Sequence, residues 1–486
     1  MIHDVLILGG TVIDGTGRTR YAADLAIDDD RITAIGDLAH GEGTIVIQAH
    51  GRIVAPGFID AHTHDDGALL SADGMLPKVS QGVTTVIAGN CGISLAPLVL
   101  DDVPPPPLTL VGGQENFRFD RLADYMAELE RLGTATNAAL LVGHTTLRRR
   151  VMPTFERAAT ESEIALMCAE VEQAMADGAL GLSTGLDYAA AVKSSTEEVR
   201  HLARAAAAAG GMYVTHTRNY FEHLEEAIEE AIEIATDARA KLVISHHQAT
   251  GPDNFGKSVP TLKRLDAARR DLDLGLDCYP YAASSTILKP ERCGIGVRVV
   301  ITWSDPHPEM AQRDVASIAK EWGCTEREAA LRLLPAGAVY FQLDEDDVQR
   351  ILAYPHTMIG SDGLPHDEHP HPRLWGTFPR VLGHYARDLG LFPLEDAVRR
   401  MTGLPAREFG LTDRGVLTVG NCADVTVFDA ETILDLATYE VPKQVSAGID
   451  WVLVNGVFTW AGGKPTGARP GRVLRRRPER PDHSAS

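Results

Sequence analysis

Residues 57–64 read Gly-Phe-Ile-Asp-Ala-His-Thr-His. A short apolar run leads into His62 and His64, two positions apart. On an extended strand such residues share one face and can converge on a single ion. Further strand-like runs follow downstream: TTVIAGN (84–90), NAALLVG (137–143), GALGLS (178–183), GMYVTHT (211–217), KLVISHH (241–247), LGLDCYP (274–280) and HTMIGSD (356–362). Between them lie segments such as 194–210 and 221–238, rich in Ala, Glu and Leu with apolar residues at helical spacing. In the second, Thr217, Arg218 and Asn219 precede the helix and several glutamates follow, which suits its positive end. Eight strand runs alternating with helices predict an α/β fold, a (β/α)8 TIM-like barrel.

The flanks have a different texture. DVLILGG (4–10), TVIDG (11–15), DLAIDDDRITAIG (24–36) and TIVIQAHGRIVAPG (44–57) are short β-rich runs with turn signals, and the texture returns in 415–430 and 449–463. The expected organisation is a small β-sandwich domain assembled from residues 1–54 and 410–468 around a barrel spanning 55–409. From Tyr281 to about Tyr354 the chain is too long for a simple barrel connection, so an inserted lid subdomain is expected over about 285–350. The basic, proline-containing residues 469–486 are expected to form a flexible tail.

Lys and Arg number 46 against 67 Asp and Glu, a formal charge of -21 that disfavours phosphate backbones and anionic lipid surfaces. Neither a nucleic-acid nor a membrane partner is expected. The N-terminal MIHDVLILGG reads as a strand and turn, without the features of a signal peptide, and no apolar run spans a bilayer. A cytoplasmic protein acting on a small molecule is therefore expected. The six cysteines (Cys91, Cys168, Cys278, Cys293, Cys324, Cys422) lack the spacing of a disulfide scaffold, so most should be reduced and buried.

Cys91, His216, His246 and Asp362 each stand at the C-terminal end of an expected barrel strand, the face where barrel active sites form. Together with His62 and His64 they make a metal site the expected reading. Cys91 alone would read as a small buried residue, but in this company a soft thiolate suits zinc and can bridge two ions. His246 and His247 should face opposite ways on a strand, so His246 is the expected ligand and His247 a supporting or packing residue. Nitrogen, sulfur and oxygen donors favour zinc over magnesium or calcium. Zinc-activated hydroxide could attack a carbonyl, with Asp362 as general base and then general acid.

The segments GFIDAHTHDD (57–66), GNCGIS (89–94), GGMYVTHTR (210–218), ISHH (244–247), DCYPY (277–281), 360–385 and ADVTVFD (423–429) resemble the D-aminoacylase (N-acyl-D-amino-acid deacylase) branch of the amidohydrolase superfamily. The resemblance runs from Asp4 to Arg475 and is most specific over 357–385. It implies a tight zinc held by Cys91, His216 and His246. A second, weaker site would involve His62, His64, bridging Cys91 and nearby Asp362. Many amidohydrolases place a carboxylated lysine at the end of the fourth strand; this chain has none there, and a bridging Cys91 accounts for its absence. By the same resemblance Arg373 would hold the substrate α-carboxylate, assisted by Tyr188, Tyr279 and Ser285.

Three segments depart from the family pattern. Gln248 stands where a lysine often follows the His pair, residues 217–221 read Thr-Arg-Asn-Tyr-Phe, and 185–195 lack a Tyr-Pro-Pro. They leave the metal donors intact and alter the substrate pocket. The leading expectation is zinc-dependent hydrolysis of N-acyl-D-amino acids to a D-amino acid and a carboxylate. The alternatives are another carboxylic amide, cyclic amide, lactone or ester hydrolase on the same scaffold, and a barrel that binds without catalysing.

Overall fold

The computed structural model describes residues 2–476. Eight parallel strands form its centre: β1 (Phe58–Asp60), β2 (Val83–Ala88), β3 (Asn137–Leu140, resuming at Val142–Gly143), β4 (Gly181–Gly185), β5 (Met212–His216), β6 (Leu242–Ile244), β7 (Leu274–Cys278) and β8 (Thr357–Ile359). One hydrogen-bonded sheet holds β1, β2 and the first part of β3; a second runs in order from the upper part of β3 to β8. Just beyond β1, Ala61 N–H donates to the carbonyl of Ile359 in β8 at 3.1 Å. Every residue of these strands is buried. Burial on both faces is why their sequences read as near-continuous runs rather than as alternation.

Helices connect the strands, and local chemistry sets their ends. Thr160 Oγ1 accepts the Glu163 N–H while Glu163 reaches back to Thr160, a capping box that starts Glu161–Asp177. Ser195 caps Thr196–Ala208 through the Glu198 N–H. Helix Leu224–Ala238 buries Leu224, Ile228, Ala231 and Ala235 and turns its glutamates outward. Its preceding turn is held by Asn219 Oδ1, which accepts from Phe221 N and His223 N.

The two flanks meet in one nine-stranded sheet. Ile53–Pro56 joins Ile2–Val12 on one side and Val425–Phe428 on the other, which puts N-terminal and C-terminal strands in a single ladder. Between β7 and β8, Ser284–Ile287, Arg298–Ser304 and Ala336–Phe341 form a three-stranded antiparallel sheet. Helices Val315–Trp322 and Glu326–Leu333 pack on it through a separate core that includes Val299, Ile301, Ile318, Leu333 and Tyr340. Among the described residues no helix is long and apolar enough to cross a membrane.

The expected flexible tail is corrected over residues 469–476. Val473 and Leu474 pair in parallel with Ala138 and Ala139 of β3, and Arg476 N–H donates to Gly178 O just before β4. The remainder of that expected tail, 477–486, lies outside the described residues.

A buried charge cluster ties two of the connecting helices together. His144 Nε2 lies 2.8 Å and Arg148 Nη1 2.5 Å from Glu198 Oε1, with all three side chains fully enclosed. Burial pushes the Glu198 carboxyl up, but His144 and Arg148 outweigh it and hold it at about 2. Burial also keeps His144 below its ordinary value, which leaves Arg148 as the cation. Because folding depresses this carboxyl, its contribution is present above its ordinary value of 4.5 and lost as the pH falls through about 2. Glu198→Ala is expected to lower stability by about 3–5 kcal/mol at neutral pH by stranding Arg148. Urea unfolding of both proteins should show the difference shrinking as the pH approaches the depressed value.

Candidate metal centre

The strand ends deliver the expected donors to one place. β1 stops at Asp60, so His62 and His64 sit in the bend beyond it rather than on the strand itself. Their convergence comes from two bonds that shape this bend: Ala61 N–H to Ile359 O and Thr63 N–H to Ile87 O. His216 is the final residue of β5, whereas Cys91, His246 and Asp362 lie two or three positions past β2, β6 and β8.

Two donor groups result, and they share one atom. His62, His64, Cys91 and Asp362 form the first, and Cys91, His216 and His246 the second; within each group all ligand atoms lie within 4.8 Å of one another. Cys91 Sγ is 3.2 Å from His62 Nε2 and 3.4 Å from His246 Nε2. His216 Nδ1 is 3.0 Å from His246 Nε2, and Asp362 Oδ1 is 3.2 Å from His64 Nε2. All six residues are buried.

The backbone gives an independent sign of function. Cys91, His246 and Asp362 have φ of 54°, 31° and 48°, three of the seven non-glycine residues with positive φ among those described. Each such conformation costs roughly 1–3 kcal/mol and persists where surroundings enforce it, which is characteristic of functional sites. Asp277, at the end of β7, holds one of these positions, His246, together with the His62 ring. Its Oδ1 accepts the His246 N–H at 2.8 Å, and its Oδ2 lies 3.3 Å from His62 Nδ1.

The electrostatics are those of a cation site. Burial would raise the Cys91 thiol, but His62, His246 and His216 pull it well below its ordinary range. Burial likewise opposes ionisation of Asp362, and Arg373 with His64 holds it well below the usual carboxylate range. For His64, burial favours the neutral ring, yet Asp362 and Cys91 lift it to about 9. His64 Nδ1, His216 Nε2 and His246 Nδ1 are buried without a hydrogen-bond partner among the described residues. Imidazole, thiolate and carboxylate donors in this proportion fit zinc.

A narrow cavity opens beside the donors, lined in part by Tyr188, Tyr279, Ser285, Gln248 and Asp362. Tyr279 Oη donates to Gln248 Oε1 at 2.5 Å, so Gln248 is held in place. Tyr188 Oη lies 3.2 Å from Thr286 Oγ1, and Ser285 Oγ donates to Ala338 O. Arg373 is fully buried, stacked on Tyr279 with 4.5 Å to the ring centre. Its Nη1 is 2.8 Å from Asp362 Oδ2, and its Nη2 donates to Ser285 O. His247 points away, with Nε2 2.9 Å from Thr261 Oγ1.

Several residues went unanticipated. Asp277 had a signal, its place at a strand end beside Tyr279. Asp187, Lys289 and Arg292 also face the cavity; Lys289 Nζ and Arg292 Nη2 lie 2.5 and 2.8 Å from Asp187 Oδ2. Asp187 follows β4 and could have been found, but nothing marks two cations within an insertion as cavity residues. Lys78 is fully buried and bonds Asp60 Oδ2 and Ser361 Oγ, both at 2.7 Å, fastening the end of β1 to the end of β8.

A profile of the amidohydrolase family matches residues 46–288 and 323–464. A D-aminoacylase from Alcaligenes xylosoxydans xylosoxydans is 52% identical over 473 residues, covering 97% of this chain and 98% of the relative. A crystal structure of D-aminoacylase, described as defining a novel subset of amidohydrolases, superposes with TM-score 0.95 at 51% identity, covering 98% of this chain and all of the other. N-acyl-D-glutamate deacylase from Bordetella bronchiseptica, solved with zinc and a phosphonate mimic of the tetrahedral intermediate, gives TM-score 0.94 at 45% identity, again over 98% and 100%.

Lys78→Met should leave the Asp60 and Asp65 carboxylates buried without their cation and cost about 3–5 kcal/mol. A shift of the urea midpoint measures it; an unchanged midpoint would remove Lys78 as the fastening between β1 and β8.

Proposed function

The chain belongs to the amidohydrolase family, in its N-acyl-D-amino-acid deacylase branch, and on that premise we propose that it hydrolyses the amide bond of N-acyl-D-amino acids with the residues described above. The observation that carries this reading is the pair of donor groups sharing Cys91, with Asp362, His216 and His246 lining the adjacent cavity. Cys91, His216 and His246 would hold a tight zinc. His62, His64, Cys91 and Asp362 would hold a second ion more weakly, because the Arg373 guanidinium already occupies one Asp362 oxygen. Bound zinc supplies a water of near-neutral pKa and polarises an acyl oxygen.

The side chains supply the rest. Asp362 accepts the proton of the attacking water and returns it to the leaving nitrogen. Arg373 has the planar, fully charged group suited to a substrate α-carboxylate, which would approach past Tyr279, Tyr188 and Ser285. A carboxylate drawing Arg373 toward itself also weakens its hold on Asp362. That raises the aspartate's proton affinity when a proton must be carried.

The same reading extends to the scaffold. The eight strands close as a (β/α)8 barrel, a reading that the Ala61 to Ile359 bond supports. Residues 1–54 and 410–468 form a small β-sandwich domain on the barrel of 55–409, and about 285–350 act as a lid contributing Ser285 and Lys289 to the cavity.

Paired N-acyl-D- and N-acyl-L-amino acids, assayed with hydantoins and lactones in added zinc, test the substrate class. Turnover of the D series is expected; turnover of cyclic substrates alone would sink the deacylase reading. Asp362→Asn is expected to lower kcat by about a hundred- to ten-thousandfold while one equivalent of zinc stays bound. Loss of all zinc from this variant would instead make Asp362 an essential ligand.

A further inference from the structure

Cys91 has to reach both donor groups from a turn that no strand ladder supports. It stands in the left-handed region between Gly89 (φ 84°) and Gly92 (φ 74°). Ser183 of β4 closes this turn from below. Its hydroxyl donates to Gly89 O at 2.5 Å and accepts the Gly92 N–H at 3.0 Å, so one oxygen bridges the two ends of the segment 89–92. Ser183 is wholly buried. On the other flank, Gly92 O accepts the N–H groups of Thr145 and Thr146 at 2.8 and 3.3 Å.

The surroundings let the turn lean across the strand ends. A Cβ on Gly143 would lie 2.5 Å from the Gly92 carbonyl carbon, and one on Gly185 would overlap the Cys91 carbonyl oxygen. Small residues on β3 and β4 therefore make room for the turn, and the Ser183 hydroxyl fixes how far it leans. Neighbouring Thr184 takes no part, since its hydroxyl donates to Thr215 Oγ1.

We propose that Ser183 is a positioning residue for metal capture, holding the Cys91 sulfur where both donor groups can use it. This rests on the reading of Cys91 as a shared ligand. Without the hydroxyl, buried Gly89 O and Gly92 N–H lose their common partner together. The turn is then free to relax from its left-handed conformation, carrying the thiol away from His62 and His246.

The test is Co(II) titration of the apo-protein and of Ser183→Ala, Thr184→Val and Cys91→Ser, following affinity and the thiolate-to-cobalt charge-transfer band. Ser183→Ala should bind about ten- to a hundredfold more weakly with a diminished band and a kcat that falls more than KM rises. Its circular dichroism should match the parent. Thr184→Val should titrate as the parent. Parent-like affinity and band in Ser183→Ala would overturn the proposal, as would an equal loss in Thr184→Val. If Ser183→Ala does not fold, Ser183→Thr keeps the hydroxyl and should keep the band; a folded Ser183→Thr without it overturns the proposal. Cys91→Ser should lose both the band and the tight equivalent. If it keeps them, the shared-ligand premise fails, which is a separate outcome from failure of the Ser183 role.

Discussion

The Cys91 sulfur is the one donor common to both ligand groups, and its charge sets the terms for everything around it. A thiolate and the Asp362 carboxylate lie together in a buried site, and buried anions are tolerated only when matched by positive charge. The imidazoles lean toward that role: the Cys91, Asp277, Asp362 and Asp187 partners raise His62, His64 and His216 above their ordinary values although burial opposes it. A divalent cation entering the site must displace those protons, so metal affinity and proton release are linked.

Most of the architecture serves to place short side chains at fixed points. Each donor comes from the end of a different strand except His62 and His64, and a strand end is a rigid origin. The final ångströms are set by the turns beyond those ends, which is why the positive φ values fall on Cys91, His246 and Asp362. Two of these turns are pinned from another strand end, Asp277 to the His246 N–H and the His62 carbonyl to the Asp362 N–H, and the Cys91 turn is held by Ser183 of β4. The centre is thus braced around its rim, with β1, β6, β7 and β8 locked to one another through backbone and carboxylate.

Much of this was legible in the sequence because the parallel strands are buried throughout and chemistry-bearing residues stand at or just beyond their ends. His62, Cys91, His216, His246 and Asp362 are conspicuous for that reason. What escaped was of three kinds. Lys78, Glu198 and Ser183 look like ordinary polar residues in a string, and their partners are far along the chain; Lys78 and Ser361 are 283 positions apart. The strand at Val473–Leu474 was hidden differently. Two apolar residues amid arginines read as tail, and only their pairing with β3 makes them a strand. The turn geometry beyond the strands was also out of reach, because His62 and His64 converge through a bend rather than through strand alternation.

That late strand bears on how the molecule assembles. Arg472 N–H bonds Asn137 Oδ1 across 335 positions of chain, and the strand that follows it lies against β3 with Arg476 bonded to Gly178 before β4. During synthesis the first part of β3 must therefore wait with one ladder edge unsatisfied until most of the protein has left the ribosome. An exposed edge of that kind is an invitation to pair with another chain. The segment Val473–Leu474 thus works as a closing stitch, covering an edge of β3 that nothing earlier in the described chain pairs with.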